Sequence, residues 1–160
     1  MIWQPKTLGE FLFGKDGARD ALVTPSTRLN YEQLREQAKG AAGALQALGI
    51  GKGDRVAVLL PNGEQWLSLF YGAALIGAVT VPVNTRFKAG EIDFCLKQSG
   101  AQALFYVDRF LNNDYGSMVR EIGFDAAIEI SSVKKGEFAE VKVEPEDLLL
   151  IQFTSGTTAY

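Results

Sequence analysis

Histidine is absent from the 160 residues, and cysteine occurs once, at Cys95. Without histidine, no Ser-His-Asp or Cys-His catalytic group can be built from this chain alone, so acid–base work falls to carboxylates, lysine or residues supplied from elsewhere. A single cysteine excludes an intrachain disulfide, leaves nothing for a thiolate metal cluster, and fits a reducing, cytoplasmic setting. Basic clusters are missing too. Lys and Arg number 16 against 19 Asp and Glu, for a net charge of −3 and a pI near 5.0. No run of Lys or Arg forms a patch, so the electrostatic footprint of a nucleic-acid binder is absent. The N-terminal MIWQPKTLGEF has no basic start followed by an apolar stretch and a small-residue cleavage site, so a signal peptide is not indicated.

One long uncharged run does exist. Residues 66–83, WLSLFYGAALIGAVTVPV, have the length of a membrane span. Gly77, the β-branched Val79-Thr80-Val81 and Pro82 divide it. The division predicts a buried helix over 64–76 and a buried strand over 79–83, with no transmembrane span.

With 47% hydrophobic and 22% charged residues, the composition suits one globular domain with a sizeable core. Leu34, Ala38, Ala41, Leu45 and Leu48 recur at helical spacing. Asn30 and Gln33 are spaced as a capping box and Gly49 as a stop, which predicts a helix over 31–48. Arg55 to Leu60, bounded by Gly53-Asp54 and Pro61-Asn62, reads as a buried strand. The pattern repeats with a helix over 91–99, stopped at Gly100, and a strand over 103–107. It repeats again with Tyr115, Met118, Val119 and Ile122 on one helical face, Gly123 as a stop, and a strand from Ala126 to Ile130. The fold class is therefore α/β, a mainly parallel sheet flanked by helices, in a single domain spanning 1–160. Residues 131–147 read as a charged surface connection with a short edge strand at Ala139–Val143, after which the core resumes at Leu148.

Few residues offer chemistry. Gly49-Ile50-Gly51-Lys52-Gly53 ends a helix and leads into a strand, the reverse of a dinucleotide-binding loop. Glu91 and Asp93 point apart on a helix and read as charges near its N-terminus. Cys95 lies on an apolar face as a small buried side chain, and Trp66, Phe70 and Tyr71 read as core or interface packing. Asn84 and Arg86 lie just past the end of a strand, where ligands gather in open α/β sheets. A structural role for Arg86, pairing a carboxylate or capping a helix, is equally open.

The strongest signal closes the chain. After Leu148-Leu149-Leu150-Ile151-Gln152-Phe153 come Thr154, Ser155, Gly156, Thr157 and Thr158. Small hydroxylated residues with a glycine, directly after an apolar strand, bring N–H and O–H donors close to a phosphate chain, and they also begin ordinary turns. The Gly-Lys pair of the common nucleotide-triphosphatase loop is absent.

Taken in order, "LNYEQLREQAKGAAGALQALGIGKGDRVAVLLPN", "GAALIGAVTVPVNTRFKAGEIDFCLKQSGAQALF" and "DLLLIQFTSGTT" cover most of residues 29–158. This series resembles the N-terminal part of the adenylate-forming, AMP-binding enzymes, particularly the acyl-CoA synthetases that act on fatty or aromatic acids. The family's loop usually runs TSGTTG, a variable residue, then Pro-Lys-Gly. Here Ala159 replaces the glycine and Tyr160 is last, so the resemblance implies a chain truncated within its own phosphate loop.

The resemblance further implies ATP, Mg²⁺ and coenzyme A as cofactors of the complete enzyme and a small-molecule carboxylate as its substrate. The carboxylate attacks the α-phosphate of ATP, releasing pyrophosphate and giving an acyl-adenylate, from which the coenzyme A thiol displaces AMP. Thr154, Ser155, Gly156, Thr157 and Thr158 then match the loop that holds the β- and γ-phosphates, with no catalytic residue and no metal ligand in this segment. Two other readings stay open: a nucleotide-binding α/β module without catalysis, and a degenerate remnant serving as a structural or interaction domain.

Overall fold

A local hydrogen-bond exchange starts the first ordered element. The computed structural model describes residues 5–154. Thr7 Oγ1 accepts the Glu10 N–H at 3.0 Å and Glu10 Oε2 accepts the Thr7 N–H at 2.7 Å, starting helix α1, Leu8–Phe13. Strands β1, Asp20–Val23, and β2, Arg28–Asn30, form an antiparallel hairpin. Asn30 then caps α2, Tyr31–Ala47, in a reciprocal pair with Gln33 at 2.8 and 2.9 Å, as the spacing predicts.

The central layer is a parallel sheet built from β3, Arg55–Leu59, β4, Val79–Pro82, β5, Ala103–Tyr106, and a short strand from Ala127 to Glu129. Between β3 and β4 runs α3, Glu64–Leu75, and between β4 and β5 runs α4, Ala89–Ser99. A small antiparallel hairpin, β6 Arg109–Phe110 and β7 Asn113–Asp114, follows β5 and leads into α5, Tyr115–Ile122. The Ala127–Glu129 strand is β8, and the sheet order is β4-β3-β5-β8 with every pairing parallel.

Both faces of this sheet are covered, which explains why its strands read as continuous apolar runs. Val56 and Val58 of β3 pack with Leu45 of α2 and Leu69, Ala73 and Ile76 of the α3 region. Ala57 and Leu59 face the other way, onto Ile92, Cys95 and Leu96 of α4 and Tyr115 and Val119 of α5. The uncharged run is split as expected: α3 stops at Leu75, and Gly77, at φ 69°, takes the left-handed turn that sends the chain into β4. Among the described residues no helix is long and apolar enough to cross a membrane.

The charged connection departs from expectation. Residues 139–143 form no strand; Gln46 of α2 instead accepts the Ala139 N–H at 2.9 Å and donates to its carbonyl at 2.8 Å, so a side-chain amide occupies the place of a neighbouring strand. The alternation Ala-Glu-Val-Lys-Val that suggested a strand lies against residues of α1, α2 and α3. Leu148 does not rejoin the core and is 58% exposed. Its successors rejoin the sheet: Thr80 N–H donates to Leu149 O, and Ile151 N–H to Thr80 O, both at 3.0 Å, making a parallel bridge along the outer edge of β4.

Candidate functional site

All the parallel strands run the same way, so the segments leaving β3, β4 and β5 meet at one edge of the sheet. There they surround a cleft of about 600 Å³. Leu60, Pro61 and Asn62 follow β3, Pro82 ends β4 and Val83 to Thr85 and Phe87 follow it, and Phe110 comes from the β6–β7 hairpin. Trp66 of α3, Gln152 and Phe153 complete the lining. Among the described residues no charged side chain lines the cleft; three phenylalanines, a tryptophan, two prolines, Leu60 and Val83 supply its apolar surface, and Asn62, Asn84, Thr85 and Gln152 its polar groups.

The wall after β4 is held by side-chain hydrogen bonds. Asn84 Oδ1 accepts the Arg86 N–H at 2.9 Å, and the Asn84 carbonyl accepts the Phe87 N–H at 3.0 Å, closing a tight turn. The Thr85 carbonyl accepts from the fully buried Tyr115 hydroxyl and from Asn113 Nδ2 at 3.0 Å. Lys88 Nζ donates to Asn113 Oδ1 at 2.5 Å. The β6–β7 hairpin and the start of α5 thus brace the turn that carries Asn84.

Asn84 therefore joins the cleft through its turn. Arg86 does not fill either structural role open to it: its side chain is exposed and, among the described residues, makes no ion pair and caps no helix. Trp66 does more than pack, since it contributes both to the core beneath α3 and to the cleft wall. Its dual position is visible only once β3 and β4 are adjacent. Cys95 is 1% exposed, and burial, followed by the nearby Glu91 carboxylate, pushes its thiol up, which suits packing rather than nucleophilic attack. Glu91 and Asp93 lie near the N-terminus of α4 as expected; Glu91 accepts the N–H of the capping Lys88 at 2.9 Å and Asp93 pairs with Lys97 at 2.6 Å.

The hydroxylated segment begins beside this cleft. The Thr80–Leu150 bridge is parallel, so Gln152, Phe153 and the exposed Thr154 emerge at the carboxyl edge with the other strand ends. Ser155, Gly156, Thr157 and Thr158 lie outside the described residues. In an open α/β sheet, that edge is where ligands bind.

Compared with known families, the sequence matches the AMP-binding enzyme family over residues 13–160. The chain belongs to the AMP-binding enzymes. Among curated AMP-binding relatives, the long-chain-fatty-acid–CoA ligase FadD13 of Mycobacterium tuberculosis is 40% identical over 151 residues, covering 88% of this chain and 30% of FadD13. The fatty acid–[acyl-carrier-protein] ligase ScoC of Streptomyces coeruleorubidus is 34% identical over 151 residues, covering 86% of this chain and 28% of ScoC. In the crystal structure of the N-terminal domain of FACL13 from Mycobacterium tuberculosis, 94% of this chain superposes on 42% of that one with a TM-score of 0.78 at 35% identity. The α/β architecture is thus that of the N-terminal part of an acyl-CoA synthetase. The chain spans under a third of the length of these curated relatives.

Proposed function

We propose that this chain supplies the phosphate-holding part of an ATP-dependent acid–CoA ligase, as the N-terminal part of an AMP-binding α/β domain. Thr154, Ser155, Gly156, Thr157 and Thr158 form the loop that holds the β- and γ-phosphates. The observation that carries this reading is the parallel bridge at Thr80–Leu150, which directs Thr154 to the carboxyl edge beside a cleft whose described lining carries no charge. Gly156 lets the backbone approach the phosphates, and the hydroxyls donate to their oxygens. The loop's work is to stabilise charge on departing pyrophosphate as a carboxylate attacks the α-phosphate.

Mg²⁺, when bound, neutralises phosphate charge. Among the described residues there is no group of three or more His, Cys, Asp or Glu side chains able to hold a metal ion. The hydroxyls and main-chain N–H groups of residues 154–158 suit phosphate oxygens rather than a metal ion, which would sit on the nucleotide phosphates. The names of FadD13 and ScoC favour a fatty acid as the carboxylate. Coenzyme A is the acceptor in this reading, and the setting is cytoplasmic.

The test uses the chain itself, isotopically labelled and titrated with ATP, pyrophosphate and Mg²⁺. Amide shifts confined to 154–158 and the cleft, weak and saturable, support the reading. Acyl-CoA formation by the chain alone is not expected, because a phosphate loop without partners for the other substrates cannot align the α-phosphate with a carboxylate. Titration that leaves 154–158 unmoved while shifting residues elsewhere contradicts it.

A further inference from the structure

The approach to the loop is held in an unusual way. Its last main-chain hydrogen bond among the described residues is Ile151 N–H to Thr80 O; Gln152, Phe153 and Thr154 make none to other described residues. The Phe153 side chain is half-buried against the core between the sheet and α4. Its ring meets that of Phe94 with centroids 6.0 Å apart and planes inclined at 66°, the edge-on arrangement aromatic quadrupoles prefer. Phe94 is otherwise out of place. It is a large aromatic residue on α4 with 55% of its surface exposed, directly before the fully buried Cys95.

We infer that Phe94 is a positioning residue for the phosphate loop: its ring fixes Phe153, and through Phe153 the place at which Thr154 leaves the sheet. The inference rests on the loop assignment above. A phosphate cradle works through donors held in advance of the substrate, so the point from which the loop springs must be fixed laterally as well as along the strand. The Thr80–Leu150 bridge fixes it along the strand; the Phe94–Phe153 pair fixes it across α4. Phe94 touches no reacting atom in this scheme and acts wholly through Phe153.

The experiment compares backbone ¹⁵N relaxation in the unmodified 160-residue chain with that of Phe94→Ala, Phe94→Tyr and, as a control for losing an exposed aromatic elsewhere, Phe11→Ala. In Phe94→Ala, order parameters at 152–154 should fall from about 0.85 to below about 0.6 while Val56–Leu59 stay unchanged. Phe94→Tyr, which keeps the ring, and Phe11→Ala should both retain the parent values. Pyrophosphate-induced shifts at Thr154 should need roughly tenfold more ligand in Phe94→Ala, the tenfold being about 1.4 kcal/mol. Unchanged order at 152–154 overturns the inference, as does a loss shared equally by Val56–Leu59, which marks a merely structural residue. If Thr154 in the unmodified chain ignores pyrophosphate, the loop assignment fails, and the relaxation comparison still decides whether Phe94 anchors this segment.

Discussion

The Tyr115 hydroxyl donates to the main-chain carbonyl of Thr85, joining the first residue of α5 to the turn that walls the cleft. Tyr115 is fully buried, and the same carbonyl also accepts from Asn113 Nδ2 at 3.0 Å. Replacing Tyr115 with Phe removes one of two donors without stranding the carbonyl, so stability should fall by about 1 kcal/mol, the usual net value of such a bond. Tyr115→Ala also empties the core and should cost about 3–5 kcal/mol. Urea unfolding of the two variants checks both values. A Tyr115→Phe variant as stable as the parent would mean that the hydroxyl contributes nothing, and equal costs in the two variants would mean that the buried ring contributes nothing beyond it.

Two glycines of α2 should respond oppositely to the same substitution. A Cβ on Gly43 would fall on the backbone of Gly136 and Glu137, whereas one on Gly40 would meet only the Lys135 side chain, 3.0 Å from its Cγ. Alanine in a helix interior gains about 0.5–1 kcal/mol over glycine. Gly40→Ala should therefore be neutral or stabilising. Gly43→Ala should destabilise by about 1–3 kcal/mol, because the connection crossing α2 cannot move aside as a side chain can. Thermal midpoints that rise in both variants would show that the crossing at Gly136 is loose.

Acid should weaken the fold through two carboxylates. The Asp114 carboxyl is held below its ordinary range chiefly by the Ser117 N–H it accepts at 2.8 Å, with the Ser117 side chain and then Arg109 and Arg120 adding to the effect. Asp147 is lowered first by the Glu144 N–H it accepts at 2.7 Å and then by Lys52. Both pKa values lie lower in the folded state, so the unfolded chain takes up protons first as pH falls. The contribution is complete above the unfolded value of about 3.9 and is lost as pH drops through the folded value. Asp114→Asn and Asp147→Asn should lower the urea midpoint at neutral pH, where the parent's contribution is complete, and flatten its decline below about pH 4. A decline identical to the parent's would remove these groups from the account.

How much of this could be read in the sequence depended on whether an element's signal was local. The Asn30–Gln33 spacing announced α2, and the bounded apolar runs at β3, β4 and β5 announced a sheet covered on both faces. The Thr7–Glu10 spacing carries the same capping signal for α1, but six residues are too few for hydrophobic periodicity to show. Two hairpins, β1–β2 and β6–β7, escaped for a similar reason: strands of two to four residues leave little alternation to read. At Ala139–Val143 the alternation was present and misleading, because the partner proved to be one glutamine side chain. Asn84 could be suspected from its position after a strand. The parts played by Trp66, Phe94 and Phe110 depend on which strands lie side by side, and chain order does not reveal that β3 sits between β4 and β5.

The central claim, that the hydroxylated segment starting at Thr154 holds phosphate during adenylation, is tested most directly by exchange kinetics. Residues 13–160 would replace the matching segment of FadD13, and carboxylate-dependent ATP–pyrophosphate exchange would be measured with and without the triple change Thr154→Ala, Ser155→Ala and Thr157→Ala. The account predicts exchange in the unmodified chimera and a loss of at least about a hundredfold in the folded triple variant, the scale on which removing preorganised donors slows such reactions. Exchange at the unmodified rate in that folded variant would contradict it.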